Sequence, residues 1–156
     1  MLPRDNLIFE LMTAETVYGV AELAKECFTT PWSENIYRRE LDNPQAITFV
    51  CRAENRVIGF INCQYVLDEL TLNTLAVSAE YRRKGIARTL WKLAAEMVEG
   101  VCSICYLEVR ESNLAARTLY ESLGFSHNGY RRRYYQEPEE AAVLMTCSLT
   151  DTEKGI

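Results

Sequence analysis

Long apolar runs, histidine, proline and glycine are all scarce in this chain of 156 residues. No stretch approaches the roughly 18 consecutive apolar residues of a membrane span, so no membrane attachment is expected. The opening residues, MLPRDNLIFE, lack a basic segment followed by an apolar one, so no secretory leader is expected. Seven glycines and four prolines are too few for a collagen-like or low-complexity chain. A single histidine, His127, leaves little from which to build a metal site, and no metal is expected. The formal charge of −5 argues against a surface that binds nucleic acid generally.

What is present is ordinary globular composition, 48% hydrophobic and 25% charged, at a length that suits one domain with its own core. Six cysteines without a leader read as free thiols in a reducing compartment, which points to the cytoplasm. They are Cys27, Cys51, Cys63, Cys102, Cys105 and Cys147. Cys102 and Cys105 form a CxxC, for which half a zinc site and a redox pair are the functional readings. There is no second CxxC, and the pair stands at the entry to a strand rather than at a helix N-terminus. Small hydrophobes packed in a strand is the plainer reading.

Along the chain, residues 6–12 read as a short strand. Thr13 is placed as the N-cap of a helix to about Cys27, with Val17, Val20, Ala21, Ala24 and Phe28 near helical spacing. Ser33 caps a second short helix to about Leu41, stopped by Asp42-Asn43-Pro44. Ala46–Ala53 and Arg56–Val66 form a hairpin around Glu54-Asn55, and a further strand runs from Leu70 to Val77. Its apolar positions are Leu70 and Leu72, then Leu75 and Val77. That slip in a period of two implies a β-bulge near Asn73-Thr74. A helix over Gly85–Glu99 carries the stripe Ile86, Leu90, Leu93, Ala94 and Met97. Next come a strand (Cys102–Arg110), a helix (Asn113–Ser122) ended by Gly124, and two final strands (Phe125–Tyr135 and Ala141–Leu149). Asp151–Ile156 reads as a disordered tail. Three consecutive antiparallel strands and then a β-α-β crossover predict a single α/β domain over residues 1–150. Its sheet is mixed, mostly antiparallel, with helices on both faces.

Two stretches carry chemistry. Tyr81–Arg88 (YRRKGIAR) follows a strand and opens a long helix. The first turn of a helix leaves unpaired N–H groups, and its dipole favours an anion there. Gly85 lets a phosphate approach the backbone, and Arg82, Arg83 and Lys84 add positive charge. A solvated basic loop before an ordinary helix would look the same. In Leu107–Phe125 (LEVRESNLAARTLYESLGF), Asn113 and Tyr120 are seven residues apart, two helical turns or about 10.5 Å along an axis. Glu108 lies toward the C-terminal end of its strand, where ligands bind in α/β sheets. Each has a bland alternative. Glu108 could pair with Arg110 or another cation, Tyr120 could pack on the core, and Asn113 could be only an N-cap.

R-x-x-G-x-A after a bulged strand resembles the GNAT-type N-acetyltransferases, in which it binds the pyrophosphate of acetyl-coenzyme A. The combination of PWSE (Pro31–Glu34), LDE (Leu67–Glu69), LEVRESN (Leu107–Asn113), LYESLGF (Leu119–Phe125) and RRRYY (Arg131–Tyr135) is similar to the bacterial ribosomal-protein-alanine N-acetyltransferases. The resemblance covers residues 6–149. It implies an N-acetyltransferase domain whose bulged central strand is splayed from its parallel neighbour. Backbone atoms of Leu75, Ala76 and Val77 would pair with pantetheine, and N–H groups of Arg83, Lys84, Gly85, Ile86, Ala87 and Arg88 would hold pyrophosphate. Glu108 would be the general base, Tyr120 the general acid, and Asn113 a coenzyme contact. The Trp32 loop and the strand bearing Arg131 and Tyr135 would flank a peptide groove, although Trp32 could equally anchor the core. Glu69 would attract a cationic N-terminus or be a solvated turn carboxylate. The connection QEPEE is short beside the longer polar turn of family members.

The residue types suit the reaction. A protein α-amine has a pKa near 7.7–8.0 and lysine near 10.4, so a carboxylate can deprotonate the former at neutral pH. A phenol with pKa near 10 stays protonated and can protonate a departing thiolate. A backbone N–H near Val77 could donate to the oxyanion. The expected acceptor is the N-terminal alanine of a small-subunit ribosomal protein, and the enzyme is expected to be a monomer. The alternatives are a GNAT enzyme acting on lysine or a small amine, a non-catalytic acyl-coenzyme A binder, and an RNA-binding strand at Tyr130–Tyr135 that conflicts with the net charge.

Overall fold

The computed structural model describes residues 6–135 and 139–150. The expected order of elements is present: β1 (Leu7–Leu11), α1 (Val17–Cys27), α2 (Glu34–Glu40), β2 (Ala46–Ala53), β3 (Arg56–Val66), β4 (Glu69–Val77), α3 (Ile86–Met97), β5 (Ile104–Arg110), α4 (Leu114–Ser122), β6 (Ser126–Tyr135) and β7 (Glu140–Ser148). Hydrogen bonding orders the strands β1-β2-β3-β4-β5-β7-β6 in one mixed sheet. Among the described residues, no helix is long and apolar enough to cross a membrane. Two compact units divide the chain. Among the described residues, one comprises those up to Gln64 with Thr74–Met97, the other Tyr65–Asn73 with those from Val98 onward.

In the first unit, β1, β2 and β3 form an antiparallel meander with Phe9 opposite Cys51 and Val50 opposite Phe60. Ile47–Cys51 and Val57–Cys63 are runs of buried residues rather than alternations. Such runs require cover on both faces of the sheet. Val50 and Phe60 pack with Val17, Val20 and Leu23 of α1 and Tyr37 of α2. At Gly59, the residue before Phe60 and so on the other face, a Cβ would lie 3.1 Å from Ile86 and 3.4 Å from Leu90 of α3. That close approach is why a glycine sits in the middle of β3.

The local signals were mostly sufficient. Ser33 caps α2, its Oγ accepting from the Ile36 amide at 3.3 Å. Thr13 does not cap α1. Its carbonyl accepts from the Thr16 and Val17 amides and its own amide donates to Thr16 Oγ1, a turn that delays the helix to Val17. Phe28, expected on the apolar stripe of α1, is instead its extended C-cap. Along β4, burial alternates at Leu70 and Leu72, then Leu75 and Ala76 are buried in succession. The change of phase falls at Asn73-Thr74, as expected.

In the second unit, the first residues of β4 pair in parallel with β5, Glu69–Thr71 opposite Ile104–Tyr106. β7 runs antiparallel to β5 and β6 antiparallel to β7. Cys105, Leu107 and Val109 of β5 are buried, while Ile104, Tyr106, Glu108 and Arg110 point to the other face. The expected tail and the Gln136–Pro138 part of the QEPEE turn lie outside the described residues.

Candidate active site

The first unit holds a backbone site. β4 ends at Val77, with Leu75 and Ala76 buried. The Val77 carbonyl already accepts from Arg82 Nε at 3.0 Å, so Arg82 folds back on the strand end. Arg82, Arg83 and Lys84 are all exposed. The turn itself is pinned from behind: the Ser78 amide donates to the Ile58 carbonyl, and Arg56 pairs with Glu80 at 2.7 Å.

Arg83 (φ +63°) and Gly85 (φ +81°) both take left-handed backbone conformations. Turns of this kind group successive amides into an anion-binding concavity. α3 then begins as the Thr89 amide and hydroxyl both donate to the Gly85 carbonyl, at 3.1 and 3.0 Å. Buried Ile86 and Leu90 fix the helix on β3, half-buried Ala87 keeps its start narrow, and Arg88 is exposed. A Cβ at Gly85 would meet no protein atom within 4 Å. The glycine therefore borders open space of the sort a phosphate fills, and the residues fit a pyrophosphate held by amides at the helix start.

The second unit holds a side-chain site. Glu108 and Arg110 share a face of β5, opposite Leu144 and Ala142 of β7. The Glu108 side chain is 30% exposed, but its Oε2 is buried and has no hydrogen-bond partner among the described residues. Its other oxygen lies 3.8 Å from Arg131 of β6, a charge contact too long for a hydrogen bond. Arg110 makes its ion pair with Glu140 of β7 instead, at 3.2 Å. The Arg110 guanidinium also sits 4.5 Å above the centre of the Tyr135 ring. Burial raises the pKa of the Tyr135 hydroxyl, and the Glu108 charge raises it further. Glu108, Arg131 and Tyr135 thus come together. The side chain of Arg133 lies outside what the structure describes.

Asn113 is the N-cap of α4, its Oδ1 accepting from the Ala116 amide at 3.1 Å. The Asn113 carbonyl accepts from the Arg117 amide. Tyr120 is buried on α4 and meets Phe125 edge to face at 5.8 Å between centroids. Glu69 is exposed at the start of β4 opposite Ile104, and Glu108 is four residues further along β5, about 13 Å. Trp32 packs against the core of the first unit, 5.5 Å from the Tyr37 ring. Cys102 and Cys105 are buried, and among the described residues no cluster of His, Cys, Asp or Glu suits a metal ion.

Glu140 and Ser112 carried no signal. One Glu140 oxygen accepts from the Ser112 amide at 2.5 Å while the other meets Arg110. The Ser112 hydrogen bond, then Arg110, hold the Glu140 carboxyl below the usual carboxylate range. The contact crosses 28 residues, so no local pattern reports it.

The profile of the acetyltransferase (GNAT) family matches residues 17–125. The ribosomal protein bS18-alanine N-acetyltransferase of Escherichia coli K12 is 36% identical over 149 residues, covering 93% of this chain and 99% of that protein. The protein of the same name from Haemophilus influenzae is 36% identical over 132 residues, covering 82% and 89%. The crystal structure of the ribosomal-protein-S18-alanine N-acetyltransferase from Escherichia coli superposes with a TM-score of 0.81 at 30% identity, covering 92% of this chain and 94% of that one. The helix-start turn at Gly85, the mixed sheet and this likeness over nearly the whole length agree: the chain belongs to the GNAT acetyltransferase family, among the ribosomal-protein-alanine N-acetyltransferases.

Proposed function

We propose that this protein transfers an acetyl group from acetyl-coenzyme A to a protein N-terminal α-amine, in the cytoplasm, with the N-terminal alanine of a small-subunit ribosomal protein as its acceptor. The observation that carries the chemical part is the Glu108 carboxylate, half-buried, with one oxygen unpartnered among the described residues and the other facing Arg131. The acceptor class rests on relatives that carry that activity in their names at 36% identity.

The roles divide between the two units. In the first, amides from Arg83 to Arg88 hold the pyrophosphate, backbone groups of Leu75 to Val77 align the pantetheine, and an N–H near Val77 stabilises the oxyanion. Acetyl-coenzyme A supplies the acetyl group as a thioester. In the second unit, Glu108 takes the proton of the attacking amine, directly or through water. An α-ammonium loses its proton far more readily than a lysine, so a modest carboxylate base is enough. Tyr120 gives its phenolic proton to the departing thiolate. Asn113 orders the start of the helix that carries Tyr120 and lies beside the coenzyme. The substrate chain runs along the strand bearing Arg131 and Tyr135. Direct attack needs no acyl-enzyme, so none of the six cysteines need be a nucleophile.

The test is steady-state kinetics on Glu108→Gln and Tyr120→Phe with an alanine-first peptide. Each is expected to lower kcat about a hundredfold or more, the scale of general acid–base catalysis, with little change in coenzyme affinity. Parent turnover in both variants contradicts the assigned roles.

A further inference from the structure

Glu108 and Arg110 are two residues apart on β5, so their side chains leave the same face with Cα atoms about 6.6 Å apart. A guanidinium on so long a stem easily reaches a carboxylate at that spacing. A bidentate pair between them would occupy the oxygens that a base needs. The structure resolves this competition through a third residue. Glu140, whose side chain is only 15% exposed, accepts from Arg110 at 3.2 Å and from the Ser112 amide at 2.5 Å. Tyr135, paired with Glu140 in the β6–β7 ladder, stacks under the same guanidinium. Arg110 is thereby engaged on two sides, while Glu108 Oε2 has no hydrogen-bond partner among the described residues.

We propose that Glu140 is a positioning residue for acetyl transfer: it draws the Arg110 guanidinium to itself, and so keeps the Glu108 carboxylate open to receive a proton. The Ser112 amide gives Glu140 a fixed anchor, because Ser112 immediately precedes the N-cap of α4. The inference rests on the reading of Glu108 as the base. It adds a residue that acts through Arg110 rather than on the reacting atoms.

The experiment uses the full chain with an alanine-first peptide. Glu140→Gln keeps an oxygen for the Ser112 amide but removes the charge that holds Arg110. Its kcat is expected to fall about tenfold, part of the span available to a general base, with the KM for acetyl-coenzyme A unchanged. Adding Arg110→Leu, which removes the guanidinium but leaves an apolar stem on Tyr135, is expected to restore most of the lost kcat. A merely structural Glu140 predicts no such rescue, because the second substitution removes a further contact. Parent kcat in Glu140→Gln, or a double variant no faster than Glu140→Gln alone, overturns the proposal. Glu108→Gln separates the two levels. If it turns over at the parent rate, the base assignment fails and this role with it. If it is slow while Glu140→Gln is fast, only the role of Glu140 fails.

Discussion

The two units of this protein hold candidate functional groups of different material. The first uses main chain. Two left-handed residues and a helix start present amides to open space at Gly85, and the side chains behind them serve to fix that turn. The second uses side chains held by strand pairing and by ion pairs between strands, with Glu108, Arg110, Arg131, Tyr135 and Glu140 brought together from β5, β6 and β7. A main-chain site is insensitive to most substitutions except those that change the backbone's freedom. A side-chain site fails when one functional atom is lost. The comparison teaches that binding of the coenzyme and turnover should be separable by mutation.

The largest effect tests the second unit. Glu108→Gln is expected to lower kcat by about 10² or more while leaving the dissociation constant for acetyl-coenzyme A at its parent value by isothermal titration. Loss of coenzyme affinity in that variant would break the division. Next in size, Phe60→Ala in the core of the first unit, where the ring is fully buried between α1 and α2 residues, should cost about 3–5 kcal/mol in chemical denaturation. Gly85→Val should raise the dissociation constant for the coenzyme about tenfold. The side chain fills the open space and a left-handed backbone costs about 1–2 kcal/mol for a residue with a Cβ. A variant that binds normally but turns over slowly would blur the two roles. Ser33→Ala should cost about 1 kcal/mol in thermal or chemical unfolding, the usual worth of an N-cap, with no change in kcat.

The smallest effect concerns pH. The Glu140 carboxyl is held low in the folded protein by the Ser112 amide and by Arg110. A depressed folded-state value contributes stability that is present above the ordinary carboxylate range and lost as pH falls through the lowered value. The melting temperature of the parent should therefore exceed that of Glu140→Gln at neutral pH, and the gap should close on acidification. A gap that widens toward low pH contradicts the sign.

Much of this was legible from sequence because the signals are local. The slip between Leu72 and Leu75 announced the change of phase in β4, Ser33 announced its helix, and Gly85 with its basic neighbours announced the turn before α3. Thr13 misled because a second threonine three residues on, Thr16, closes a turn with it before the helix begins. The cation facing Glu108 is Arg131, and Arg110 is claimed by Glu140. Local spacing favours Arg110 for Glu108. Which partner wins depends on how β6 and β7 pair with β5, a non-local fact that only the register supplies. Trp32 next to a short helix reads as a groove wall or as a core anchor, and its ring makes a tilted contact with Tyr37 of the core.

The central claim is transfer to an N-terminal α-amine. Its most direct test is intact-mass analysis of two peptides incubated with the protein and acetyl-coenzyme A. One begins with the alanine of a ribosomal-protein N-terminus. The other is the same peptide with that amine blocked and an internal lysine added. The account predicts the gain of one acetyl group on the first peptide and none on the second. Acetylation of the blocked peptide, or of neither while the coenzyme still binds, would contradict it.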